Sequence, residues 1–361
     1  MTDKSILIVG ASGVVGRAAV EHFAALPDWQ VTGLSRRIPD TKGEATLLSL
    51  DLMDRAACED VLHQMGHVTH VVYAALYEKP GLVAGWREDD QMQTNLTMLQ
   101  NLFEPLNEVA SLEHFTLLQG TKAYGAHIHA IDIPARERSP RDAHDNFYWL
   151  QEDYIRAQQQ RRDWRWTIMR PQIIFGHALG VPMNMLAAIG VYGAILKQQD
   201  KPLSFPGGAP VVFEAVDARL LAQAFEWAAI KPDCGNEIFN ITNGDVFVWR
   251  NVWPAIADAL GMDVGPDVPM LLHEEMPKHT EIWDGIVNAY GLQQNSMSGL
   301  VGDSFHYADF SFAHGLKKSA PPALVSTIKA RQFGFDACMD TEDMLRWWFR
   351  ELQDRKIIPP V

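Results

Sequence analysis

Along its first half the chain alternates short, wholly apolar runs with amphipathic stretches. Ser5–Val9 (Ser-Ile-Leu-Ile-Val) is continuously apolar after its first residue, the mark of a strand covered on both faces. Val14–Leu26 follows with helical spacing and stops at Pro27, a residue that cannot continue a helix. Val31–Ser35, Ala45–Leu50, His70–Ala75, His114–Leu118 and Trp166–Arg170 read as further strands, with helices predicted between them at 54–65, about 88–108 and 147–162. Strands separated by crossover helices of this length build parallel βαβ units.

After about residue 176 the rhythm breaks. The spacing becomes irregular, Pro206-Gly207-Gly208 and Pro321-Pro322 mark turns, and most of the tryptophans lie here. Strand-like segments return near Val211–Ala215 and at Glu237–Ile241. The expected fold is therefore α/β: a Rossmann-type, doubly wound parallel sheet over residues 1–176, joined to a smaller, interleaved C-terminal lobe over 177–361. That lobe carries the substrate and sends some segments back to the sheet edge.

Composition narrows the partners. Of the 361 residues 47% are hydrophobic and 21% charged, as in ordinary globular proteins, and the formal net charge is −14. So acidic a surface repels a phosphate backbone, so no nucleic-acid partner is expected. The longest near-apolar run, Met185–Leu196, is short of the ~20 residues that cross a bilayer, so no membrane association is expected either. The N-terminus has no basic n-region or cleavage site. Cys58, Cys234 and Cys338 are scattered without CxxC spacing, which suits a reducing cytoplasm rather than a disulfide framework. The 13 histidines show no ligand spacing, so no metal site is predicted. The expected state is a monomer or homodimer.

Candidate chemistry begins where the first strand meets the first helix. Gly10-Ala11-Ser12-Gly13-Val14-Val15-Gly16 is a GxxGxxG turn. Such a turn is tight, lets bare backbone approach a pyrophosphate, and packs the helix closely on the strand, while the helix N-terminus offers N–H groups to the anion. Gly10, Ser12, Gly13, Val14, Val15 and Gly16 are thus candidate cofactor-binding residues. The second strand ends in Ser35-Arg36-Arg37, where an acidic residue would grip a free ribose 2′-hydroxyl. Two guanidiniums and a hydroxyl instead suit a 2′-phosphate, and the cofactor predicted is NADP(H). Asp51-Leu52 after the third strand and Ala74-Ala75 at the end of the fourth are candidates for the adenine and its ribose.

Nicotinamide chemistry needs a proton donor or oxyanion stabiliser near the hydride acceptor. Short-chain dehydrogenases normally supply it as YxxxK on one helix. Here Tyr148 is well placed, but the residue four on is Glu152. A lysine arrives instead from Gln119-Gly120-Thr121-Lys122-Ala123-Tyr124-Gly125, which closes the fifth strand at the sheet's carboxyl edge. An ammonium there would approach the Tyr148 hydroxyl and favour a strong hydrogen bond or the phenolate.

With these residues in hand, the chain resembles the progesterone 5β-reductase/iridoid synthase-like family, an atypical branch of the extended short-chain dehydrogenases/reductases. The likeness rests on the glycine motif, Ser35-Arg36-Arg37, Gly120-Thr121-Lys122, Asn146-Phe147-Tyr148, Glu152-Asp153 and Arg170-Pro171-Gln172-Ile173-Ile174-Phe175-Gly176. It continues through Met183-Asn184-Met185, Asn240 to Trp249 and Lys356-Ile357-Ile358-Pro359, hence over essentially the whole chain. Gln119 stands where the family usually has Thr, Trp149 where it has a second Tyr, and Leu76-Tyr77 where it often places a pocket aromatic.

The resemblance implies NADPH-dependent 1,4-reduction of an activated C=C bond in a small hydrophobic enone or enal, possible substrates including a 3-oxo-Δ4-steroid or a small cyclic enone. It implies Tyr148 holding the developing enolate, Lys122 polarising Tyr148 and helping to bind the cofactor, and Pro171 and Ile174 presenting backbone to the nicotinamide. Tyr77, Met183 and Asn184 are the candidate substrate residues. Two alternatives stay open: a sugar-nucleotide epimerase or dehydratase of the extended short-chain class, and a non-catalytic NADP(H)-sensing protein.

Overall fold

In the protein's structure, a computed structural model that describes residues 4–80, 88–293 and 296–361, every strand expected in the first half forms. They are β1 (Lys4–Val9), β2 (Trp29–Ser35), β3 (Thr46–Ser49), β4 (His70–Tyr73), β5 (His114–Leu118) and β6 (Arg165–Pro171). Three short strands follow, β7 (Ile173–Phe175), β8 (Val212–Phe213) and β9 (Ala215–Asp217), and then β10 (Glu237–Ile241). Seven of these make one sheet in the order β10-β6-β5-β4-β1-β2-β3, every neighbour parallel.

The unbroken apolar run of β1 follows from this placement. Its residues alternate between faces, so Ile6 and Ile8 enter one core while Leu7 and Val9 enter the other. The first face is covered by α1 (Val14–Ala24), the second by α2 (Arg55–Leu62), α3 (Asp89–Val109) and α4 (Phe147–Gln159). A later helix, α6 (Ala218–Ile230), packs beside α1 through Leu221 and Phe225. The strand order reverses between β1 and β4, and at such a switch point the loops of the carboxyl edge splay apart and leave a crevice.

Past residue 176 the chain is mostly helical. A third core gathers around α5 (Met185–Gln198) with Tyr192, Trp253, Trp283 and Phe349 buried in it. The single strand expected near Val211–Ala215 is two. β8 pairs antiparallel with Phe247–Val248, whereas β9 pairs parallel with β7. The expected segment at Glu237–Ile241 returns to the main sheet as its edge strand, beside β6. Among the described residues no helix is long and apolar enough to cross a membrane.

Candidate active site

The glycine turn is dictated by crowding. Gly10 leaves β1 at φ +86°, and a Cβ there would lie 2.7 Å from the Ala74 carbonyl carbon. At Gly16 a Cβ would stand 2.2 Å from the Gly10 carbonyl oxygen, so only glycine lets α1 sit this close to the strand. Gly13 donates its N–H to that oxygen at 2.9 Å. No side chain caps the first turn of α1, and no acidic residue stands in it, which leaves its N-terminal dipole open to an anion.

From this turn a cavity of about 930 Å³ runs along the carboxyl edge, large enough for a dinucleotide and a small second ligand. It is lined by Gly10, Ser12, Gly13, Val14, Val15, Ser35, Arg36, Arg37, Asp51, Leu52, Ala74 and Ala75, and also by Tyr77, Lys122, Tyr148, Pro171, Ile174 and Met183. Gly16 lies behind the wall as a packing residue. Asn184, expected to face substrate, is buried and outside the lining. Its carboxamide caps α5, accepting from Ala187 N–H at 3.2 Å and donating to Ala178 O at 3.0 Å.

The basic loop after β2 is held open to the cavity. Ser35 Oγ donates to Arg37 O at 2.6 Å and Ser49 Oγ to Arg36 O at 2.9 Å. Arg37 Nη2 reaches across to Leu179 O at 2.9 Å, while both arginine side chains remain exposed. Asp51 accepts from Met53 N–H at 3.0 Å, and it is Asp54 that caps α2. A bare glycine cradle at a helix N-terminus and two arginines lining the same crevice fit a phosphorylated dinucleotide.

Tyr148 enters the cavity from the first turn of α4, whose cap Asn146 accepts from the Tyr148 N–H at 3.0 Å. The phenol reaches over Gly120, where a Cβ would stand 3.3 Å from its oxygen. Burial, with the Glu78 carboxylate second, pushes the phenol well above its ordinary range, against the opposing charge of Arg170. Tyr148 is therefore a neutral donor at pH 7. Lys122 comes from the turn Thr121–Tyr124 after β5. Burial lowers its ammonium to about 8, with Glu78 Oε1, 3.7 Å away, acting in the opposite sense.

The position of the absent YxxxK lysine has another use. Glu152 is buried and accepts from Gln119 Nε2 at 2.8 Å, Arg141 Nη2 at 2.9 Å and Arg156 Nε at 2.9 Å. Gln119 in turn accepts from Arg170 Nε at 2.8 Å. A glutamine at 119, unlike a threonine, is long enough to link the two. Trp149 donates its indole N–H to His144 O at 3.0 Å under the Arg141 guanidinium. Glu78 and Tyr307 were missed by sequence reasoning although both line the cavity. Tyr307 comes from the distant helix Ser304–Ser311, and neither residue carries a local signal.

A family model described as the NAD dependent epimerase/dehydratase family matches residues 6–242. The (S)-8-oxocitronellyl enol synthase of Antirrhinum majus is 30% identical over 98% of this chain and 92% of its own length. That of Catharanthus roseus is 28% identical over 99% and 93%. Among solved structures, the UDP-glucose 4-epimerase of Thermus thermophilus in complex with NAD matches with a TM-score of 0.64 at 17% identity, covering 97% of this chain and 99% of its own. That of Thermotoga maritima with UDP-glucose gives 0.66 at 15%, covering 97% and 99%. At such identities these two speak to the fold alone.

Proposed function

This chain belongs to the NAD dependent epimerase/dehydratase family and is an oxidoreductase of the extended short-chain class, and from that premise we propose that it uses NADPH to reduce the C=C bond of an α,β-unsaturated aldehyde or ketone. The observation that carries the reading is the arrangement around Tyr148: it shares the cavity lining with Lys122, which comes from the turn after β5, while Glu152, pinned by Arg141 and Arg156, stands where a helical lysine would be. Taking a proton from an alcohol, as sugar-nucleotide epimerases must, calls for a phenolate base. A protonated phenol is suited to the reverse demand, donating to an oxygen on which charge develops.

Ser35, Arg36 and Arg37 favour NADPH over NADH, because a 2′-phosphate takes charge-assisted bonds that a ribose hydroxyl cannot. When bound, that cofactor supplies a hydride. The residues around it govern what accepts the hydride. Leu76, Phe213, Tyr307 and Phe310, with Tyr77 and Met183, give the cavity an apolar wall for a hydrophobic carbonyl compound. Addition at the β-carbon of an enal moves charge onto the carbonyl oxygen, and protonation there gives an enol. The named product of the plant relatives is an enol of this kind. Tyr148 donates to that oxygen and Lys122 adds positive potential, while Pro171 and Ile174 offer backbone to the nicotinamide.

One well-aimed donor of this sort contributes ~3–4 kcal/mol to the transition state. Tyr148→Phe should therefore lower kcat by roughly 10²–10³ in an NADPH-consumption assay with an unsaturated aldehyde, with the calorimetric Kd for NADPH unchanged. Turnover within a few-fold of the parent protein would overturn the assignment.

A further inference from the structure

A buried carboxylate that has no part in the reduction as described stands beside Tyr148 and Lys122. The Glu78 side chain is 2% exposed, and its Oε1 lies 3.7 Å from Lys122 Nζ. Two residues of α3 fix it there. Asn95 brackets the preceding residue, accepting from Tyr77 N–H and donating to Tyr77 O, both at 2.9 Å. Gln91, one turn earlier, accepts from Lys79 N–H at 3.0 Å and donates to Glu78 Oε2 at 2.6 Å. Gln151 of α4 donates to Asn95 O at 3.0 Å, tying the clamp to the helix that carries Tyr148. A solvated glutamate needs none of this, and a buried carboxylate is costly unless it is paired.

We propose that Glu78 is a positioning residue that sets the charge of the site, holding Lys122 as an ammonium and Tyr148 as a phenol. The inference rests on the roles given above to Tyr148 and Lys122. Burial alone favours a neutral lysine; the nearby carboxylate restores the charged form. The balance falls at about 8, so the ammonium prevails at pH 7 and is lost as pH rises through that value. The same carboxylate raises the phenol. Among the described residues, Glu78 acts on Lys122, and Glu78, Arg170 and Tyr307 act on Tyr148. Because Glu78 and Lys122 together are nearly neutral, charge growing on a substrate oxygen meets a donor and a cation rather than a bare carboxylate.

The test reads Lys122 directly, without turnover. The full chain carrying 13Cε-labelled lysine is titrated by NMR, the Lys122 signal being identified by its loss in Lys122→Met. A midpoint near 8 is expected in the parent and in Glu78→Asp, falling by about one pH unit or more in Glu78→Gln. The alkaline limb of kcat/KM with an unsaturated aldehyde should move by the same amount. Gln91→Leu, which releases the clamp but keeps the carboxylate, should shift the midpoint in the same direction by less, and serves if Glu78→Gln does not fold. An unmoved midpoint in either variant overturns the proposal. A moved midpoint in a protein that reduces no unsaturated carbonyl supports the hold of Glu78 on Lys122 and overturns only the reduction.

Discussion

Arg36 and Arg37 leave β2 side by side with different duties. The Arg37 guanidinium is spent partly on Leu179 O, whereas no protein acceptor is recorded for that of Arg36 among the described residues. Arg36→Ala should weaken NADPH binding by about ten- to a hundredfold, the worth of a charge-assisted pair. NADH binding should stay as it was; calorimetry with both cofactors decides, and equal losses would contradict a 2′-phosphate contact. Gly16→Ala should cost still more, because its methyl group would meet the Gly10 backbone at 2.2 Å. Lost NADPH binding and a Tm lowered by several degrees are expected by calorimetry and thermal melting. These positions were legible because a turn and its anion site are written in contiguous residues. Glu78 was not, since its importance comes from Gln91 on α3 and Lys122 beyond β5, which meet it only in the fold.

At the scale of elements, α4 shows how a departure from a motif can be read correctly for its absence and still be incomplete. The missing YxxxK lysine was visible in the sequence, but the three-arginine surroundings of its replacement were not. Glu152→Lys would restore the motif on paper. It would also bury an ammonium among Arg141, Arg156 and the Gln119–Arg170 link, and breaking a buried pair in this way costs about 3–5 kcal/mol. A large fall in stability by denaturant unfolding is expected, with no gain of alcohol oxidation. A stable Glu152→Lys protein that oxidises alcohols would show that helix position still governs the chemistry. One helix of the second half, α5, was hidden for a different reason. α5 is buried all round, from Met185 to Leu196, so it lacks the one-sided apolar period by which a helix announces itself. Asn184 was misread with it, since a helix that gives no signal also hides its cap.

The molecule as a whole carries a pH liability in its buried histidines. Burial holds His70 at about 4, His114 at about 3 and His177 at about 3, with neighbouring Lys4, Arg165, Arg17 and Arg355 adding to it. All three fall below the unfolded value of about 6.5. Their neutral folded forms therefore lose stability as pH drops below 6.5, because the unfolded chain takes up the protons. Glu214, raised to about 7 by burial, works in the opposite direction but is a single group. Melting temperature should fall by several degrees between pH 7 and pH 5.5, and His114→Gln should flatten that fall; a pH-independent Tm would contradict it. Six of the sheet's seven strands, and the glycine turn, basic loop, Lys122 and Tyr148 that line the cavity, were named from the first half of the sequence, whereas the part of its wall built by Phe213, Tyr307 and Phe310 required the folded second half. What the cavity does is tested most directly by following NADPH absorbance with citral and, separately, with citronellal, which lacks only the conjugated double bond, and identifying the product. Reductive chemistry at the double bond predicts loss of absorbance with citral alone and citronellal as the product. Consumption with citronellal, an allylic alcohol from citral, or no consumption with either would contradict it.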